Sequence, residues 1–298
     1  MKTTCSLELA SNTLVGAPNR KKTRATERSG IALLTITALA AALLGGVRLA
    51  AAQDSEQLAK QLSNPIAALI SVPFQFNWDR DIGANRDGKR TTLNVQPVIP
   101  ITLNEEWNII SRTIVPVVDQ KIPGLSNGSQ RDIGDVVQSL FFSPKKPTAG
   151  GLIWGVGPVF LIPSSTDFIS ADKWGLGPTG VVLKQQGPYT YGALANHIWS
   201  FAGEESRSDV NQTFLQPFLA YTTKSAVTVT LQTESVANWE AASGEEWTVP
   251  INVLLSKVVK LGRKPLSVSF GGGYYVESPT GGPEWKFRSA LTLLFPAR

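Results

Sequence analysis

From Ile66 onward, apolar residues return at every second position, and the alternation persists over runs longer than an ordinary strand. Ile66, Ala68, Ile70, Val72, Phe74, Phe76 and Trp78 alternate with Ala67, Leu69, Ser71, Pro73, Gln75 and Asn77. At the other end of the chain, Trp285, Phe287, Ser289, Leu291, Leu293 and Phe295 alternate with Glu284, Lys286, Arg288, Ala290 and Thr292. A period of two belongs to a β-strand, whose successive side chains point to opposite faces. Such runs fall near 66–79, 91–103, 105–118, 133–144, 150–163, 174–186, 188–201, 211–223, 225–237, 246–260, 265–277 and 284–296. They predict about twelve strands of roughly 10–14 residues, where strands of globular proteins average about 5–6 and about 9–11 residues cross a bilayer at a tilt. The fold class implied is all-β: a transmembrane, antiparallel, up-and-down β-barrel of about 12 strands with a short N-terminal helix.

The connections point the same way. Segments near 80–90, 119–132, 164–173, 202–210, 238–245 and 278–283 are long and polar. Turns at Asn104, Gly187, Lys224 and Gly262-Arg263-Lys264 are tight, and the link from Lys145 to Ala149 is a little longer. An outer-membrane barrel alternates brief periplasmic turns with longer outside loops, whereas a soluble β-sandwich, the alternative fold, has no reason to. Trp78, Trp174, Trp199, Trp239, Trp247 and Trp285 map to strand ends that meet a long connection. Trp107 and Trp154 map to the opposite ends, with Tyr189, Tyr221 and Phe295. Indole rings favour the headgroup level, so these residues are expected as aromatic bands at the two membrane interfaces.

The formal net charge of +5 and the sequence pI near 9.3 invite a nucleic-acid reading. The location of the charges removes it. Lys2, Arg20, Lys21, Lys22, Arg24, Arg28 and Arg48 face only Glu8 and Glu27, so the excess lies in the first 52 residues and the rest of the chain is neutral. An apolar run, Ile31 to Val47, follows the basic stretch and leads to Ala50-Ala51-Ala52-Gln53. Basic stretch, apolar run and small-residue end are the parts of a secretory signal peptide; an uncleaved anchor helix is the alternative. The expected organisation is therefore a leader over 1–52, a short periplasmic helical segment over 53–64, and the barrel over 65–298. Within the segment, Leu58 and Leu62 stand at i, i+4, with a stop at Asn64-Pro65. The single Cys lies in the leader, so the exported chain uses no disulfide. Mean hydropathy near zero excludes a helical membrane protein with many spans.

If one face of each strand meets lipid, the other faces the lumen. Gln75, Asn94, Gln96, Asn108, Arg112, Thr230, Gln232, Asn252, Lys286 and Arg288 are the expected lumen-lining residues, with Thr228 and Ser256 beside them. They line a route for small solutes or, in a packed interior, hydrogen-bond it shut. Arg112, Lys286 and Arg288 bias the lumen toward anions unless Glu277 and Glu284 neutralise two of them. No catalytic residue, metal site or cofactor is expected. The expected partners are outer-membrane lipid and a small-molecule solute, and no nucleic acid.

Four further features need a reading. Trp-Gly-x-Gly-Pro occurs at Trp154 and again at Trp174, and is read as a kink with close backbone approach rather than a ligand contact. Gly175-Leu-Gly177-Pro-Thr-Gly180 matches a dinucleotide fingerprint as a string only, since strand-like Val181-Val182-Leu183 follows where a helix is required. His197 is the only histidine, and Ser200, three residues on, projects from the opposite face of a strand. A hydrolase would need a serine from a neighbouring strand. Pro73, Pro97, Pro100, Pro116, Pro158, Pro217 and Pro250 fall inside the proposed strands, where each removes a ladder donor; several are expected at bulges or outside regular pairing.

Three stretches together carry a resemblance: Asn94-Val-Gln-Pro-Val-Ile-Pro through Glu106-Trp-Asn-Ile-Ile-Ser-Arg-Thr-Ile-Val-Pro116; Trp154-Gly-Val-Gly-Pro158; and Lys173-Trp-Gly-Leu-Gly-Pro178 continuing to Asn196-His-Ile-Trp-Ser200. The chain resembles the outer-membrane proteins of the phenol meta-cleavage pathway family over roughly Asn64 to Phe295. The resemblance implies an outer-membrane barrel associated with uptake of aromatic or other hydrophobic compounds, and it brings no agreed functional residues. The leading expectation is passive passage of small, hydrophobic or aromatic molecules. The alternatives are a non-conducting barrel sealed by side chains or by residues 53–64, and a lipid-modifying enzyme using His197.

Overall fold

The structure is a computed structural model that describes residues 50–123, 128–164, 169–262 and 264–295. The expected leader lies, up to residue 49, outside the described residues. Helix α1 (Ala50–Leu62) comes first. Strands follow as β1 (Ile70–Ile82), β2 (Gly88–Val95), β3 (Val98–Thr102), β4 (Trp107–Lys121), β5 (Gln130–Ile133), β6 (Val136–Pro144), β7 (Leu152–Ile162) and β8 (Lys173–Gln186). The rest are β9 (Tyr189–Gly203), β10 (Asn211–Thr222), β11 (Val227–Thr233), β12 (Ser235–Asn238), β13 (Trp247–Leu261), β14 (Lys264–Glu277) and β15 (Trp285–Phe295). Every neighbouring pair is antiparallel, and the pairs β2–β3, β5–β6 and β11–β12 are each one wall strand broken at a single point. β1 pairs with β15 from Ile70↔Phe295 to Arg80↔Trp285, which closes the sheet into a 12-stranded barrel without free edges.

The prolines explain the breaks. A proline has no N–H to donate, so the strand beside it loses a partner and bends away. Pro73 lies beside Gln96, where β2 gives way to β3, and its carbonyl accepts the Gln96 N–H at 2.9 Å. Pro116 faces Gly134, between β5 and β6, with Gly134 N–H to Pro116 O at 2.8 Å. Pro217 stands opposite the break between β11 and β12, and Pro250 sits at the register shift between β13 and β14. Pro158 and Pro178 are register partners on β7 and β8, so the two Trp-Gly-x-Gly-Pro motifs lie side by side. On either flank the ladder is interrupted, between Ser139↔Val159 and Phe142↔Val156 on one side and between Leu176↔Trp199 and Thr179↔Asn196 on the other. A Cβ on Gly157 would collide with the Leu140 carbonyl, and one on Gly177 with that of His197. The motif is thus a close-approach seam. The Gly175–Gly180 string lies within β8, with no helix after it.

Outward residues are apolar and exposed, among them Leu219, Leu231, Ile251, Val253, Leu255, Phe287 and Leu291. A polar cluster on β4 and β6 satisfies itself: Gln138 donates to Ser111 Oγ at 3.0 Å and accepts from Thr113 Oγ1 at 2.5 Å. Aromatic pairs stand at both ends of the wall. Trp78–Phe287, Trp239–Trp247 and Tyr274–Trp285 pack at 5.4, 6.0 and 4.7 Å between centroids at one end, Trp107–Trp154 and Tyr189–Tyr221 at 5.8 and 5.2 Å at the other. Exposed Trp174 and Trp199 lie at the first of these ends. From Trp285 to Phe295 the strand covers roughly 33 Å at about 3.3 Å per residue, or about 25 Å of depth at a tilt near 40°, the height of the apolar belt of such barrels.

Three expectations are corrected. The first strand begins at Ile70, not Ile66. Asn64 Oδ1 accepts the Ile66 N–H at 3.0 Å in a turn, and Ile66 plunges inside against Ile110, Phe141, Val181, Leu183 and Leu194. The loop near 80–90 shrinks to 83–87 because β1 and β2 run on to Ile82 and Gly88; the turn-side link 145–151 exceeds it, so loop lengths alternate less regularly than expected. The interior is not uniformly polar. On β6 to β9 most inward residues are apolar, including Val137, Phe141, Val159, Leu161, Val181, Leu183, Leu194 and Ile198, with the small polar side chains of Ser139, Ser143, Thr179 and Thr190 buried among them. The barrel is narrow enough for opposite walls and the inserted chain to touch, so those positions form a packed core.

Candidate functional site

The polar side of the interior is built by β1, β2, β4 and β10 to β15. Asn94 and Asn252 are buried there, and Asn108 is half-buried between Thr102 and Ser143. Lys286 and Arg288, though charged, are 3% and 2% exposed. Two groups hold such cations. Arg288 lies bidentate on Glu234, Nη1 to Oε1 at 2.8 Å and Nη2 to Oε2 at 2.5 Å, and donates Nε–H to Asn77 Oδ1 at 2.6 Å. Beside it, Asp79 accepts the Tyr275 hydroxyl at 2.7 Å and faces Arg90 Nε at 3.5 Å, while Lys286 Nζ lies 5.3 Å from the centre of the Tyr275 ring. Charge pairing and hydrogen bonding of this density are what allow ions to be buried. Glu277 and Glu284, the expected counter-charges, play no part: Glu277 is exposed, and Glu284 pairs with Arg86 at the rim.

Sequence reasoning passed over Asn77, Asp79, Arg90, Glu234 and Tyr275. The signal was present, because Asn77 and Asp79 continue the parity of Gln75, Arg90 that of Asn94, and Glu234 that of Gln232.

This girdle adjoins a chamber of about 260 Å³. Gln75, Gln96, Arg112, Thr228, Thr230, Gln232 and Ser256 contribute to its wall, so seven of the expected lumen residues are brought together there. Val98, Phe218 and Leu254 add apolar surface. The chain entering the barrel closes the turn-side end: Ala59, Gln61, Leu62, Ser63, Asn64 and Pro65 line it. Ala59, Leu58 and Leu62 of α1 pack on Leu69, Ala226, Val258 and Leu294, and Gln185 Nε2 donates to Lys60 O at 2.8 Å. The helix therefore sits in the mouth as a stopper held by an apolar face and a cap to its C-terminal turn.

His197 stands on the outer wall, not in the lumen. Its ring packs on Trp199 at 4.0 Å, and Nδ1 is 2.7 Å from Thr213 Oγ1, which also accepts Trp239 Nε1–H at 2.9 Å. Ser200 is engaged elsewhere, with Asp209 at 3.2 Å and the Val210 N–H at 3.0 Å. The histidine's hydroxyl partner is thus a threonine already committed to an indole.

No family model matches the chain, and no curated protein does. Among solved structures it is similar to an outer-membrane channel from Pseudomonas putida F1, with a TM-score of 0.57 and 14% identity over 76% of this chain and 96% of that one. The chain has the fold of a bacterial outer-membrane β-barrel. Weaker likenesses are to NanC porin, with a TM-score of 0.48 and 11% identity over 76% and 100% of the two chains, and to outer membrane phospholipase A from Escherichia coli, with 0.42 and 10% over 76% and 96%. At these identities the likeness is one of fold, and an outer-membrane barrel is what the apolar belt and aromatic bands independently require.

Proposed function

We propose that the protein is a passive outer-membrane channel for small solutes, and that its solutes belong to the hydrophobic or aromatic class. The observation that carries this reading is the chamber: a cavity inside a closed barrel, lined by amides and hydroxyls and by the side chains of Val98, Phe218 and Leu254. Polar atoms keep such a space wet, and apolar ones lower the cost of admitting a ring or chain; width and wall chemistry then set selectivity. The resemblance in sequence to a family associated with uptake of aromatic or other hydrophobic compounds supports the solute class.

The stopper favours a second reading, in which the barrel does not conduct. Reconstitution in liposomes separates the two. A channel gives ion conductance and solvent-driven swelling with small solutes, and removal of residues 53–64 raises both. Absence of current and of solute flux in the full chain and in the truncated barrel alike would sink the channel reading.

A further inference from the structure

Beside the girdle, within range of the charge of Glu234, lies an interior cation that forms no ion pair among the described residues. Arg112 projects from β4 into the chamber, where Nη2 donates to Gln96 Oε1 at 3.1 Å. A guanidinium has five N–H donors in a flat fork, and the Arg112 side chain forms no other hydrogen bond among the described residues. The carboxylate of Glu234 has both oxygens on Arg288. The neighbouring interior is also rich in donors and poor in acceptors: the side-chain NH2 groups of Asn77, in the girdle, and of Asn252 are buried without a hydrogen-bond partner among the described residues. The chamber that Arg112 enters is also lined by the amides of Gln75 and Gln216 and the apolar side chains of Phe218 and of Val98, its register partner on β3.

We propose that the chamber is a binding site for a small monocarboxylate with an apolar body, the carboxylate lying on the fork of Arg112 and the body against Val98 and Phe218. Two parallel N–H···O bonds from one guanidinium fit the planar carboxylate. Sequestration from bulk water strengthens that attraction. The chamber's 260 Å³ falls just short of the roughly 300–1,000 Å³ of pockets for drug-sized ligands, which suits a solute of one ring or a short chain. An inorganic anion would satisfy the fork and leave the apolar wall facing water, so the apolar body is part of the assignment. The proposal rests on reading the barrel as a passage for small solutes.

The test uses the full chain purified in detergent and titrated calorimetrically with benzoate, benzyl alcohol and inorganic phosphate. Benzoate is expected to bind at least about tenfold more tightly than either of the others. Arg112→Gln, checked for folding by its heat-modified mobility on gels, should lose that advantage and leave benzyl alcohol unchanged. Arg112→Lys, which keeps the charge and removes the fork, should fall between and covers the case in which the glutamine variant does not fold. Benzoate bound no better than benzyl alcohol, phosphate bound as well as benzoate, or Arg112→Gln binding benzoate like the parent each overturns the site. Flux in liposomes keeps the two readings apart. A barrel that binds benzoate through Arg112 and passes nothing refutes the channel and retains the site. One that passes benzoate and benzyl alcohol at the same rate, with Arg112→Gln unchanged in flux and binding, refutes the site and retains the channel.

Discussion

Arg288 and Glu234 sit 54 positions apart in the chain and meet in the barrel interior through two charge-assisted hydrogen bonds. Removing one partner of a buried ion pair strands the other, which typically costs about 3–5 kcal/mol. Glu234→Leu is therefore expected to destabilise the barrel by about 3 kcal/mol, read as a lower guanidinium midpoint for unfolding in lipid vesicles. A loss below about 1 kcal/mol, the scale of a surface pair, would mean that lumen water solvates Arg288. The cations of this network were legible, since Lys286 and Arg288 fall on the polar parity of the last strand. Their partners were not. Glu277 and Glu284 are near in sequence, but closure of a barrel brings distant strands face to face, and pairing across the interior follows that geometry.

Strands and loops carry the next set of expectations. At the seam of β7 and β8, Gly177 must lie against the His197 carbonyl, so Gly177→Ala forces the strands apart. A cost of about 1–3 kcal/mol is expected for such overpacking, visible as a smaller folded fraction on refolding into detergent, whereas Gly180→Ala, whose Cβ would make only ordinary contacts, should refold like the parent. At the loop end, Glu245 accepts hydrogen bonds from the hydroxyl of Thr280, Oγ1 to Oε1 at 2.7 Å, and from its backbone N–H. Those bonds, the hydroxyl's first, hold the Glu245 carboxyl below its ordinary pKa. A depressed carboxylate pKa stabilises the contact above the unfolded value and loses it as pH falls through the lowered one. Exchange protection of the Thr280 amide, corrected for its intrinsic rate, should therefore drop on acidification in the parent and stay flat in Glu245→Gln. The number and limits of the strands were largely legible in the alternation, as β4, β8, β13 and β15 show. Their interruptions were marked by prolines, but which neighbour would break opposite each proline depended on register.

For the molecule as a whole, the decisive surface is the outer one. Val253 lies midway along β13 and is 53% exposed on the wall between the aromatic bands. An arginine on the lipid face at mid-depth costs about 2–4 kcal/mol. Val253→Arg is thus expected to lose that much stability in lipid vesicles; a neutral result would place this face against water or protein instead. The alternation along the chain already specifies the outer face and the barrel: lipid demands outward residues that are mostly apolar, and a period of two records that demand residue by residue. The interior was settled only when the chain closed into a barrel. There, apolar and polar residues are both acceptable provided they find partners, and the partners come from across a closed barrel. Hence Phe141 and Leu183 pack on an inserted Ile66, Arg288 finds Glu234, and Arg112 faces an open chamber.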